Sequence, residues 1–109
     1  MKYCCTETER RGTCYHEFKK GKADGHFWNK ASLLIHDDHL RNLHLGVLFR
    51  SVLPTYDEYG ETEMNMTQWH EIYCKALGIG GETKQAVEEI NKWAKSAFLT
   101  DDIITILGI

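Results

Sequence analysis

The seven residues Ile103-Ile104-Thr105-Ile106-Leu107-Gly108-Ile109 constrain the fold more than any other segment of the chain. They are β-branched or apolar at odd and even positions alike, so a strand built from them shows no polar face to water. At an unprotected edge such a segment frays and aggregates; it has to be paired with neighbours and covered on both sides. The rest of the chain must supply those neighbours and that cover. With 109 residues, 42% of them hydrophobic and 27% charged, it has the material for one globular domain. There is no repeat, low-complexity tract or Pro/Ser-rich linker, so residues 1–109 read as a single domain.

The first half of the chain reads as strands. Lys2 to Thr8 is rich in Tyr, Cys and Thr, and Glu9-Arg10-Arg11-Gly12 ends it. From Thr13 to Lys19 the pattern alternates, with Cys14, His16 and Phe18 on one face and Tyr15, Glu17 and Lys19 on the other. Lys20 to Gly25 has the composition of a loop, and His26-Phe27-Trp28 and Ala31 to Ile35 read as two further short strands.

The second half turns helical. Asp37 or Asp38 can cap a helix whose stripe is Leu40, Leu43, Val47 and Leu48, ending before Pro54. The same stretch also alternates at Leu43, Leu45, Val47 and Phe49, so a strand competes there. Asn65 and Gln68 form a capping box ahead of Trp69, Ile72, Tyr73, Ala76 and Leu77, with Gly78 as the stop. A last helix runs from about Glu82 to Phe98, with Val87, Ile90, Ala94 and Phe98 inward and Glu88–Lys92 as a surface pair. The sum is an α+β domain: a mainly antiparallel sheet of the N-terminal strands plus the C-terminal one, covered by about three helices.

Several patterns suggest chemistry. His70 and Cys74 share a helix face at i,i+4, and Cys14 and His16 share a strand face. Together they would make a Cys2His2 zinc set if the two pairs met. His36-Asp37-Asp38-His39 offers part of a shell for metal-dependent hydrolysis, although capping accounts for its aspartates. Gly78 to Lys84 has glycines before a helix, but its order is not that of a P-loop. No nucleophile elbow or triad is marked. The expectation is a protein without catalytic residues, resident metal or cofactor. Trp28, Trp69 and Trp93 read as core, the four cysteines as reduced thiols, and Cys74 as a small buried hydrophobe.

Charge is distributed unevenly. Residues 1–30 hold seven Lys/Arg against four acids, whereas from Pro54 to Cys74 there are five acids and no Lys or Arg. Such a stretch steers cationic partners and repels phosphates, which disfavours nucleic acid. The alternative is a solvated connection that keeps the chain in solution. No apolar run approaches the ~20 residues of a membrane span. Met1 to Arg11 lacks the apolar centre of a signal peptide. Both point to a cytoplasmic protein.

The run Leu53 to Glu63, the helix opening Thr67-Gln68-Trp69, the segment Ile90-Asn91-Lys92-Trp93-Ala94 and the C-terminal Ile103 to Ile109 resemble small bacterial immunity proteins of contact-dependent growth inhibition and polymorphic toxin systems. The resemblance covers residues 53–109. It implies a cytoplasmic inhibitor that binds and blocks one toxin domain, often a nuclease, and it assigns no residue a role. An acidic surface bearing aromatic side chains suits a cationic nuclease cleft. The residues that fit are Tyr56, Asp57, Glu58, Tyr59, Glu61 and Glu63, with Asp37 and Asp38 as a second patch. The alternative is a small zinc-binding domain or metal-dependent hydrolase using the His, Cys and Asp clusters.

Overall fold

A computed structural model describes residues 1–109. In chain order the elements are β1 (Cys4–Cys5), β2 (Tyr15–Lys20), β3 (Leu33–His36), α1 (Asp37–Asn42), α2 (Leu45–Val52), β4 (Glu61–Asn65), α3 (Met66–Ile79), α4 (Gly81–Ala97) and β5 (Ile103–Leu107). The strands form one sheet in the order β1-β3-β2-β5-β4, antiparallel throughout. The doubly apolar β5 therefore lies between β2 and β4, where both of its edges are paired and its residues 104–107 are buried.

Registry sorts the side chains onto two faces. Cys4, His16, Phe18, Leu33, Ile35, Thr62, Met64, Ile104 and Ile106 share one face, which meets the helices. Phe18, Leu33, Ile35, Met64, Ile104 and Ile106 join Leu40, Leu45, Leu48, Phe49, Trp69, Ile72, Val87, Ile90 and Ala94 from the helices in one core cluster. Each fully buried Leu, Ile or Phe contributes about 1.5–3 kcal/mol. The other face carries Tyr15, Glu17, Lys19, Leu34, Thr105 and Leu107, none of which belongs to that cluster. Residues 21–32 lie over part of it, since Trp28, Asn29 and Ser32 all bond to Glu17.

The capping box at α3 forms as its sequence predicts: Asn65 Oδ1 accepts from the Gln68 amide at 2.8 Å and Gln68 Oε1 from the Asn65 amide at 2.9 Å. Elsewhere the structure corrects expectations. The helix expected after Asp38 breaks in two at His44, whose left-handed φ of 54° ends the first run of α-helical dihedrals. The second piece turns Leu45, Leu48 and Phe49 inward and leaves Val47 67% exposed. The cap of α1 is His36, whose Nδ1 accepts from the Asp38 amide. The strand expected at His26-Phe27-Trp28 is irregular loop, and β1 shrinks to two residues before a 3-10 turn at Glu7–Glu9. Leu77 is exposed, α3 runs past Gly78 to Ile79, and the ion pair on α4 is Lys84–Glu88.

Candidate functional site

The acidic run predicted from the sequence divides into buried and exposed parts. Tyr56 is 4% exposed, packed edge-on against Phe49 at 5.4 Å. Burial pushes its phenol up to about 12. It is a core residue, because the turn after α2 folds its ring back onto that helix, and it is not available to a partner. Asp37, also proposed for the surface, is 8% exposed. Its Oδ1 accepts from His16 Nε2 at 2.8 Å and its Oδ2 from Arg41 Nε at 2.8 Å. Burial opposes ionisation of Asp37, but the hydrogen bonds from His16 and Arg41 and the Arg41 charge outweigh it and hold the carboxyl below the usual carboxylate range. That carboxylate is spent inside the fold.

Arg41 ties this corner to the acidic loop. Its Nη2 lies 3.5 Å from Glu58 Oε1, and the hydrogen bond to Asp37 raises the guanidinium above its ordinary value. Glu58 is thus half-buried and partly compensated. Asp57 is exposed but organises its own turn, with Oδ1 accepting from the Tyr59 amide at 2.9 Å. Asp38 is 80% exposed at its side chain and lies near His36.

What remains free is a smaller and better-defined surface. The segment Glu61–Asn65, not among the strands expected from the sequence, is the edge strand β4. Its alternation of Thr62 and Met64 inward with Glu61, Glu63 and Asn65 outward was the signal for it. Glu61 and Glu63 are exposed and take part in no ion pair, and Tyr59 beside them is 67% exposed. The loop is braced against the end of β5: the Gly108 amide donates to the Gly60 carbonyl at 2.7 Å and the Ile109 amide to that of Glu58 at 3.0 Å. A side chain at Gly108 would overlap the Glu58 carbonyl, so only glycine permits this approach.

The zinc set does not assemble. His16 is fully buried against Asp37, Cys14 is exposed, and no three His, Cys, Asp or Glu side chains are placed to hold one ion. His70 Nε2 and Cys74 Sγ meet at 3.5 Å on the exposed side of α3, so Cys74 is not the buried thiol expected; that role falls to Cys4. The His36–His39 cluster also disperses, with His36 capping α1 and His39 edge-on to Tyr3. Trp69 is core, bonded to Asn91 at 2.9 Å, and Trp93 packs at its margin with a bond to the Ala31 carbonyl. Trp28 instead stands on the far face of the sheet, half-buried under the Arg10 guanidinium.

Comparison of the chain with protein-family models, curated proteins and solved structures finds no match in any of the three. No helix is long and apolar enough to cross a membrane.

Proposed function

We propose that this protein is a non-enzymatic binding module that docks on a cationic partner through the β4 edge, and that it acts in the cytoplasm as the immunity protein of a toxin. One observation carries the reading: Tyr59, Glu61 and Glu63 stand exposed on and beside an edge strand, in a stretch from Pro54 to Cys74 with no Lys or Arg. Unpaired carboxylates with an exposed aromatic beside them complement a basic cleft such as a nuclease uses for phosphates. Electrostatic steering speeds encounter, and the tyrosine supplies area at low entropic cost. The resemblance of residues 53–109 to immunity proteins supports the toxin as the partner class.

The test is co-expression with the product of the adjacent gene. Protection of the host's growth and a stoichiometric complex on gel filtration are expected. An adjacent product that is harmless, or one that kills undiminished and elutes separately, would overturn the assignment.

A further inference from the structure

The sheet face turned away from the helices holds a cleft of about 320 Å³, lined chiefly by Tyr15, Phe27, Trp28, Leu107 and Ile109. The fold accepts several costs to shape it. Trp28 sits at φ 60°, a left-handed conformation that a bulky side chain keeps only when its surroundings impose it. The constraint is Glu17, 1% exposed and without a cationic partner. Its carboxylate accepts from the Trp28 amide at 2.7 Å, the Asn29 amide at 3.1 Å, Asn29 Nδ2 at 2.8 Å and Ser32 Oγ at 2.6 Å. A desolvated carboxylate is thus committed to fixing the backbone that carries the Trp28 ring. Tyr15 meets that ring edge-on at 6.5 Å, and Phe27 is 57% exposed. None of these aromatic rings belongs to the main core.

The acids beside the cleft favour a cationic occupant. Registry sets Glu17, Leu107 and Glu61 in one row across β2, β5 and β4, so the free Glu61 carboxylate neighbours Leu107 in the cleft lining. The bond from the Ile109 amide to Glu58 brings the acidic loop to the same rim. Trp28 already carries one guanidinium, that of Arg10, 4.3 Å from its ring centroid. We infer that the cleft receives an arginine side chain of the cationic partner, its guanidinium stacked among Tyr15, Phe27 and Trp28 and paired with Glu61. This rests on the docking reading above and names the anchor within it. Arginine fits better than lysine because its flat, weakly hydrated head stacks on aromatic rings and offers a carboxylate two parallel donors.

The experiment is a titration of the intact protein, followed by ¹H–¹⁵N NMR, with acetyl-Gly-Arg-Gly-amide and with the same peptide carrying neutral citrulline. The arginine peptide should shift the Trp28 indole and Leu107 amide resonances saturably, and the citrulline peptide should bind at least ten-fold more weakly. Glu61→Gln, at an exposed position, should weaken the arginine response several-fold without disturbing the rest of the spectrum. No saturable shift at Trp28, or equal responses to the two peptides, overturns the inference. These peptides need no toxin, so their outcome is independent of growth protection: protection without an arginine response removes the anchor and leaves the docking reading, and the reverse does the opposite.

Discussion

The two edges of the sheet solve the same problem in opposite ways. At the entry to β1 the amides of Lys2, Tyr3 and Cys4 are all taken by one carboxylate, Glu89 of α4, at 2.9–3.0 Å. That end of the edge is capped, and burial, with the Glu89 charge second, raises the Cys4 thiol well above its ordinary value. Along β4 the Asn65 amide is taken by Gln68, but no carboxylate spans the strand, and Glu61 and Glu63 project into water with no counter-charge. Charge on an exposed edge deters pairing with a stray strand while leaving the surface reachable. A carboxylate turned inward serves stability, and one turned outward is left for encounter.

The comparison is most sharply broken at Glu89. Glu89→Ala should cost about 2 kcal/mol, because three backbone amides, two of them part-buried, lose a charged acceptor. Urea denaturation should show the loss, and hydrogen exchange should find β1 opening first. If Glu89→Ala proves no more damaging than Glu63→Ala, the contrast between the edges fails. Glu17→Leu should cost about 2 kcal/mol by orphaning its donors, and the near-ultraviolet circular dichroism of Trp28 should collapse while the helical signal persists.

A subtler effect separates Asp37 from the exposed acids. Its carboxyl is held below the ordinary value in the folded state, so the unfolded chain binds its proton first as pH falls. Its contribution is complete above about pH 4, the usual aspartate range, and disappears as pH drops through the folded value. Asp37→Asn should flatten the acid limb of a stability–pH profile, and an unchanged limb would remove the paired role assigned to it. Smallest of all, Glu61→Lys and Glu63→Lys should each move stability by no more than about 0.5 kcal/mol, measured by thermal melting.

Much of this fold is legible where the information is local. The Asn65–Gln68 box lies within four residues and forms as its chemistry dictates, and the doubly apolar β5 could only be a central strand. The α+β architecture follows from these and from the α3 and α4 stripes. The site is less legible because its sorting is non-local. Whether Asp37 faces water depends on His16, 21 positions earlier, and Tyr56 is buried by Phe49 across a turn. Composition marks the segment as acidic and aromatic; only packing decides which members are free. Trp28 reads as core for the same reason, since nothing near it in sequence announces that Glu17 will hold its loop on the opposite face.

The central claim is that the free carboxylates of β4 guide a cationic protein onto this edge. Stopped-flow association with the product of the adjacent gene, across a range of ionic strength, tests it most directly using Glu61→Lys/Glu63→Lys. The account predicts several-fold slower association and a flatter dependence on salt, with the folded stability of the variant unchanged. Association of that variant at the unaltered rate and with the unaltered salt slope would contradict it.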